Sequence, residues 1–324
     1  MTERSSYWTR ALVPALALAA LMGAGAKGGA AQTEAAALCA PAAFSLECQL
    51  TASAVGLIQP RVGLGLWGGN PVPGTASTAG YRFQGAPRWS VGARTALVPT
   101  ALPPILDRSE TASSTATLAA ASVHSTVALM HGFSPLPTVG GVFSLDLLGR
   151  VSAARLPVGK GFDRGAVVGL GAGLRLGLLR ESFTLPGVSM TAVYGRSTEV
   201  TFGDPGGLDT DGHIQGAVSG LGLTAAASRR VLGLRLTGAV AWDRYASDVR
   251  LRYAGPAAGS GSTLSDTAVM ERWSGFGSIT WTRLIYHTVL EVGWQAAPSL
   301  PTLPAGVEVS PMTLWAALAF RITP

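Results

Sequence analysis

The sequence predicts an all-β protein: an antiparallel transmembrane β-barrel of about 10–12 strands, with twelve preferred. Of its 324 residues, 48% are hydrophobic and 13% are charged, whereas typical soluble domains have about 25% charged residues. The apolar residues alternate with small or polar ones, which is the period of a strand with two different faces. Because strands in lipid satisfy their backbone groups only when the sheet closes on itself, this pattern predicts a barrel.

The N-terminus is predicted to be a secretory signal peptide, residues 1–31. Arginines precede an apolar run at residues 12–22, and small residues follow, with cleavage after either Ala26 or Ala31. The apolar run is shorter than the ~20 residues that a membrane-spanning helix requires. We therefore expect a cleaved leader and export from the cytoplasm, rather than a membrane anchor.

Residues 32–49 form the predicted mature N-terminal segment, which contains Cys39 and Cys48, the two cysteines of the chain. In an exported protein two neighbouring cysteines favour a disulfide bond. A lipid-modified cysteine is the alternative, but Cys39 lies far beyond the apolar run of the leader. No further metal ligands lie near the cysteines, so neither a metal nor a cofactor is expected.

The predicted barrel domain covers residues 50–324. Residues 50–67 are interpreted as one strand or two, broken at Pro60, and the alternation is clearest at residues 166–179. There, leucine and valine occupy one face, and glycine with Arg175 occupies the other. The other predicted strands are 88–97, 142–153, 188–202, 217–227, 232–243, 273–282, 287–296 and 313–322. Residues 115–131 are a weaker strand prediction, since their alanines also suit a helix.

An antiparallel β-sandwich is the main alternative fold, since it also alternates apolar and polar positions. Two observations disfavour it. The less apolar face is rich in glycine and alanine rather than in the exposed polar residues of a water-facing sheet. The segments also run for about 10–14 residues, against ~5–6 for a usual soluble strand and ~9–11 for a membrane strand.

The connections between predicted strands alternate between short and long, as in barrels with short periplasmic turns and longer outer loops. Short turns are expected at residues 228–231 and 282–285, and long loops at 203–212, 247–267 and 296–311. This order places the C-terminus at the periplasmic end.

The signal peptide, the alternation and the last strand, 313–322 with Phe320, together make the chain resemble bacterial outer-membrane β-barrel proteins as a class. The resemblance implies a location in the bacterial outer membrane, contact with its lipid, and assembly by the barrel-assembly machinery. In that class the chain usually ends on an aromatic residue, whereas Arg321 to Pro324 follow Phe320 here.

Strand parity predicts which side chains line the lumen, where charges are tolerated if they pair or meet water. The primary candidates are Arg94, Arg150, Arg175, Arg235, Asp146, Asp243, Glu291 and His287. The same parity adds Arg61, Arg88, Arg272, Arg321, Glu199 and Gln295.

Two functions fit this lumen. An arginine-lined pore would be a porin-like passive channel for small solutes, with anions favoured. A network of ion pairs and hydrogen bonds would instead make a plugged, structural barrel without a transport role. The excess of arginine over carboxylate, and lumen glycines that leave room for water, favour the channel.

An enzyme is not expected, although an outer-membrane hydrolase remains a second alternative. His124 and Ser125 are adjacent and would face opposite sides of a strand, while His213 and His287 fall at opposite ends of the barrel. No catalytic triad therefore emerges. Nucleic acid is not an expected partner either, because no basic run is longer than Arg229-Arg230. The sequence does not indicate an oligomeric state.

Overall fold

The structure is a computed structural model. It describes residues 45–80, 86–102, 114–135, 140–157, 162, 165–182, 185–203, 213–254, 261–297 and 311–324, except for the side chains of 45–53, 114, 252–254, 261–262 and 264. The predicted signal peptide and Cys39 lie outside these residues, and the side chain of Cys48 is not described. The disulfide therefore stays a prediction.

The described residues contain ten antiparallel strands, which close into a barrel through pairing of the first strand with the last. The strands are β1 (Trp89–Leu102), β2 (Ser114–Met130), β3 (Ser144–Arg155), β4 (Ala166–Leu179), β5 (Gly187–Gly203), β6 (His213–Val231), β7 (Leu234–Ala254), β8 (Gly261–Arg283), β9 (Tyr286–Ala296) and β10 (Met312–Ile322). Each strand pairs with its neighbours in sequence, so the topology is a simple meander. The predicted barrel is confirmed, and β2 is a strand despite its alanines.

The preferred count of twelve strands is not observed, and the difference lies in residues 50–67. These residues are not strands but part of one helix, α1 (Ser45–Trp67), which contains Pro60. Proline removes one helical hydrogen bond without ending this helix. From Ala54 to Leu66 every residue of α1 is buried, as expected of a helix enclosed on every side. Such a helix carries no polar face that would reveal its period.

The outer surface of the barrel is apolar. In β4 and β10, for example, Leu170 is 63% exposed and Leu314 62% exposed, while the alternate side chains point inward. A continuous apolar surface of this kind is unusual for a protein in water and suits contact with lipid. Among the described residues no helix is both long and apolar enough to cross a membrane.

The two ends of the barrel differ in their connections. Two-residue turns join β6 to β7 and β8 to β9 at one end, close to the short turns that were predicted. At the other end, the predicted loop 247–267 is largely wrong, because β7 and β8 stay paired from Ser247↔Ala268 to Ala254↔Gly261. This stretch carries charges such as Asp248 and Arg250, so it lacks the apolar alternation of a lipid-facing strand. We name the end with the two-residue turns the periplasmic end.

Residues 45–80 lie inside the barrel and are named the plug. Its helix α1 occupies the outer half, where Gln59 Nε2 donates to the carbonyl of Ala268. Its irregular segment, residues 68–80, contains bends and a turn and descends through the periplasmic half to Gly80, whose carbonyl accepts a hydrogen bond from Arg88 N just before β1. The strands therefore begin at β1, and the preceding residues fill the lumen that they enclose.

Candidate functional site: the plugged lumen

The outer half of the lumen is filled by apolar packing around helix α1. Val55, Ile58, Val62 and Leu66 are all at most 5% exposed. They belong to one hydrophobic cluster with inward residues of the wall, which include Leu102, Leu118, Leu156, Phe202, Ile214, Val249 and Leu251. Burial of this apolar surface holds the helix in place.

At mid-height the lumen is closed by the indole of Trp67. A Cβ atom added to Gly195 would collide with this ring, and one added to Gly220 would lie 2.9 Å from it. A Cβ atom added to Gly169 would lie 3.3 Å from the indole. The expectation that lumen glycines leave room for water is therefore wrong here, because they accommodate a tryptophan of the plug. A cavity of about 20 Å³ remains beside Trp67, enough for about one water molecule.

The C-terminus of helix α1 is held by β3. Arg150 Nη1 donates to the carbonyl of Trp67 at 3.0 Å, and Ser152 Oγ donates to the carbonyl of Leu66 at 2.7 Å. These carbonyls belong to the last turn of the helix, which has no intrahelical donors for them. A cation at this end also interacts favourably with the helix dipole. Arg150 therefore acts as the cap of the helix, and its Nη2 donates to Ser122 Oγ.

Below the helix, Glu291 of β9 joins the wall to the plug. Arg94 Nη2 lies 3.1 Å from Glu291 Oε1, and both side chains are almost fully buried. The same carboxylate accepts from the backbone N–H of Asn70, at 3.3 Å to each oxygen. The guanidinium of Arg94 also lies over the ring of Trp315, 5.1 Å from its centroid. A buried carboxylate thus has both a counter-charge and a plug donor.

Nearer the periplasmic end, two carbonyls of the irregular segment accept hydrogen bonds from the wall. Arg175 Nη2 donates to the carbonyl of Thr75 at 2.7 Å, and Thr280 Oγ1 donates to that of Gly74 at 3.3 Å. Arg175 is fixed from the other side, since its Nε donates to Ser189 Oγ. The arginine is therefore bound to the plug rather than facing open water.

Two amides of the irregular segment donate to the wall in the same region. Ala76 N donates to Ser228 Oγ at 3.0 Å. Ala79 N donates to both carboxylate oxygens of Asp146, at 3.2 and 3.0 Å. Asp146 is fully buried and paired in register with Arg175 across β3 and β4.

The structure places all eight primary lumen candidates on the inward face. Five of them, Arg94, Arg150, Arg175, Asp146 and Glu291, meet around the plug. The other three pair with the wall itself. Arg235 Nε donates to Glu181 Oε2 at 2.7 Å, Asp243 accepts from Ser274 Oγ, and His287 Nδ1 lies 3.0 Å from Thr282 Oγ1.

The six residues that strand parity adds to the primary candidates do not all lie in the same place. Arg272, Arg321 and Gln295 are buried and face inward. Arg61 lies on helix α1 instead of a strand, and its Nη1 donates to Gln295 Oε1. Arg88 is exposed and precedes β1, so its assignment to the lumen is wrong. Glu199 is half-buried beside a bulge in the pairing of β5 with β6, where strand parity no longer applies.

The sequence reasoning missed the plug and the neutral side chains that hold it, Ser152, Ser228 and Thr280. Serine and threonine on an inward face carry no charge to single them out. One signal was present. Residues 68–80 combine glycine, proline and small polar residues without alternation, which distinguishes them from the strands that follow.

The surroundings of His124 give no support to hydrolase chemistry. His124 faces inward and Ser125 outward, as their adjacency predicts. The charged groups that act on His124 are Arg94, Arg150 and Arg321, with no carboxylate of the described residues among them. A general base that activates a nucleophile usually requires an orienting group of this kind. Among the described residues, no group of three or more His, Cys, Asp or Glu side chains is placed to hold a metal ion.

No protein-family model matches the sequence, and no curated protein matches it. Among solved structures, the chain is similar to the outer-membrane protease OmpT of Escherichia coli, with 10% identity, coverage of 74% of this chain and 96% of that one, and a TM-score of 0.39. It is also similar to the translocator domain of the autotransporter NalP of Neisseria meningitidis, with 11% identity, coverage of 72% and 88%, and a TM-score of 0.40. Both are bacterial outer-membrane β-barrels.

Proposed function

We propose that this protein is a bacterial outer-membrane barrel that its own N-terminal plug holds closed. The observation that carries the proposal is the bonding of the plug backbone, from Leu66 to Ala79, to side chains of the wall. From Ala54 to Gly80 every residue is buried or half-buried. The plugged barrel is thus better supported than a permanently open porin-like channel.

The location in the outer membrane is supported by the fold and by the predicted leader. The outer surface is apolar, and the sheet has no free edge, as a bilayer requires. A signal peptide at residues 1–31 would deliver the chain across the inner membrane. The lipid of the outer membrane and the barrel-assembly machinery are the partners that this location implies.

The arginines of the wall have two possible roles, and their bonds favour the structural one. Arg150 and Arg175 donate to plug carbonyls, and Arg94 and Arg235 pair with carboxylates. A selectivity ring would present these groups to water.

A second candidate function is passage of small anions after the plug has left the lumen. In the periplasmic half, Arg94, Arg150, Arg175 and Arg321 outnumber Glu291 and Asp146 on the wall. Departure of the plug would also remove the carbonyl partners of Arg150 and Arg175. The vacated lumen would then carry positive charge facing water.

The test is single-channel recording of the refolded full chain in a planar bilayer. We expect no steady conductance. A chain with residues 45–80 deleted, checked for folding by its heat-dependent mobility on gels, should conduct steadily. Steady conductance of the full chain, or a folded deletion variant that is silent, would contradict closure by the plug.

The second candidate has its own measurement. In a salt gradient across the bilayer, the deletion variant should show a reversal potential that indicates anion preference. Cation preference would exclude the anion channel without affecting the proposal that the plug closes the barrel.

A further inference from the structure

Between residues 66 and 80, most bonds from the wall go to the main chain of the plug. Seven wall side chains bond to backbone groups of the plug, namely Ser152, Arg150, Glu291, Thr280, Arg175, Ser228 and Asp146. They come from five strands: β3, β4, β6, β8 and β9. Two side chains of this part of the plug also bond to the barrel: Thr78 Oγ1 lies 2.5 Å from Ser144 Oγ, and Ser77 Oγ accepts from Glu181 N at 2.8 Å. Recognition of this kind depends on where the backbone groups of the segment lie more than on its side chains.

The wall also limits the size of the residues that it accepts. Gly69 has a φ of +80°, and a Cβ atom there would collide with Arg94 and Glu291. Gly74 has a φ of +79°, and a Cβ atom would lie 2.5 Å from Thr280 Oγ1. Both glycines therefore satisfy a conformational and a steric requirement. The segment between them and after them is composed of small residues and proline, apart from Asn70 and Val72.

We propose that the periplasmic half of the lumen is a binding site for a non-helical polypeptide segment of small residues, with glycine at its bends and turns, recognised through its main chain. This inference rests on the proposed function, in which residues 66–80 of the same chain occupy the site. A second peptide of the same chemistry binds there when the chain's own segment is displaced. Its carbonyls satisfy Arg175 and Thr280, and its amides satisfy Glu291, Ser228 and Asp146.

The charged side chains of the site explain why its occupant is a peptide, because they need hydrogen-bonding partners. Arg150, Arg175, Asp146 and Glu291 are at most 9% exposed with the plug in place. A buried polar group that loses its partner destabilises the protein by the full cost of its desolvation. A peptide backbone offers donors and acceptors alternately along one strand, which a small anion or cation does not.

The test uses the full chain with both native cysteines replaced, Cys39→Ser and Cys48→Ser, and with Ser228→Cys as a reporter. Ser228 is 3% exposed and contacts Ala76 N, so the introduced thiol is covered while the segment is bound. The measurement is the rate at which a water-soluble maleimide modifies this thiol in detergent micelles. We expect slow modification of this parent chain.

Two sets of substitutions are then compared. Gly69→Val with Gly74→Val should expel the segment and raise the modification rate at least tenfold. The matched control, Val72→Ala with Thr75→Ala, keeps the wall contacts to the backbone and should stay within about twofold of the parent. If the double valine variant does not fold, Gly74→Ala is the milder replacement, with the same expected direction.

A synthetic peptide of residues 66–80 is added to the valine variant. It should restore protection of the thiol, and a peptide carrying the same two valines should need at least a tenfold higher concentration. Absence of protection, equal protection by both peptides, or a valine variant as protected as the parent would overturn the inference. Failure of the proposed function is seen separately, as steady conductance of the unsubstituted full chain.

Discussion

Arg150 of β3 caps helix α1 by donating a 3.0 Å hydrogen bond to the carbonyl of Trp67. The contact joins the last residue of the helix to a strand 83 residues later in the chain. This contact marks the level at which the plug changes from a helix to the irregular segment. The hydrogen bond from a charged donor and the interaction of that charge with the helix dipole can be separated by mutation.

Replacement of Arg150 by methionine should lower the free energy of unfolding by about 1–3 kcal/mol, because the carbonyl of Trp67 loses its donor. Arg150→Lys should be less destabilising, since it keeps a cation near the helix C-terminus. Urea unfolding followed by intrinsic fluorescence measures both. Arg244→Met, on the exposed face of β7, is the matched control and should change the free energy by less than about 0.5 kcal/mol. Equal values for Arg150→Met and the control would show that the cap contributes nothing.

The position of the irregular segment can be tested by a disulfide between cysteines introduced at Thr78 and Ser144. Their Oγ atoms lie 2.5 Å apart, so cysteines at both positions should oxidise readily in the background Cys39→Ser, Cys48→Ser. The new bond should stabilise the chain by about 2–4 kcal/mol. Gel mobility with and without reductant detects it, and thermal unfolding measures its effect. The control pairs Thr78→Cys with Ser125→Cys, on the outward face of β2, and should not oxidise within one chain.

Sequence reasoning predicted the strands well because a membrane barrel imposes a different solvent on each strand face. Lipid requires Leu170 and its outward neighbours to be apolar, while the lumen accepts Arg175, so period two is visible in β4. The inward assignment of Arg94, Arg150 and Glu291 follows from the same parity. Their partners could not be derived in this way. Which backbone group each charge meets depends on how far the plug descends into the closed barrel.

The plug was missed because its surroundings are uniform. Helix α1 is enclosed by the wall, so residues from Ala54 to Leu66 are buried whichever way they point. No amphipathic period remains in such a helix, and the local sequence at Pro60 predicts a break in secondary structure. Glycine in the strands was ambiguous for a related reason. Gly195 could leave space for water or for a side chain, and only the position of Trp67 decides between them.

The fit between Trp67 and Gly195 should appear as strong coupling in a double-mutant cycle. Trp67→Ala removes a large ring from the lumen and should destabilise the protein by about 3–5 kcal/mol. Gly195→Ala alone should destabilise it as well, because its Cβ atom would meet the indole. In the Trp67→Ala background the same change should be nearly neutral, giving a coupling energy of about 0.5–3 kcal/mol.

The control for this cycle is Gly277→Ala, at a position where an added Cβ atom meets nothing within 4 Å. It should show no coupling to Trp67. Thermal or urea unfolding provides each free energy. If Gly195→Ala destabilises the chain equally with and without the indole, then the glycine is required by the strand itself and not by the plug.

The buried pair of Arg94 and Glu291 should respond to mutation differently from the pair of Arg235 and Glu181. Glu291→Gln leaves Arg94 charged and unpaired inside the lumen, which should lower the free energy of unfolding by about 3–5 kcal/mol. Arg235 and Glu181 lie close to the periplasmic turns, with side chains 12% and 8% exposed. Water can approach this second pair more easily, so Glu181→Gln should be less destabilising.

A second change distinguishes the cost of an unpaired charge from the value of the ion pair. Arg94→Met combined with Glu291→Met removes both charges and keeps apolar volume beside Trp315, so it should recover part of the loss caused by Glu291→Gln. Asn70 N would still lose its acceptor in this variant, which keeps the recovery incomplete. Urea unfolding of the single and double variants measures the recovery. A double variant less stable than Glu291→Gln would mean that the carboxylate stabilises the protein mainly through its bond to the plug.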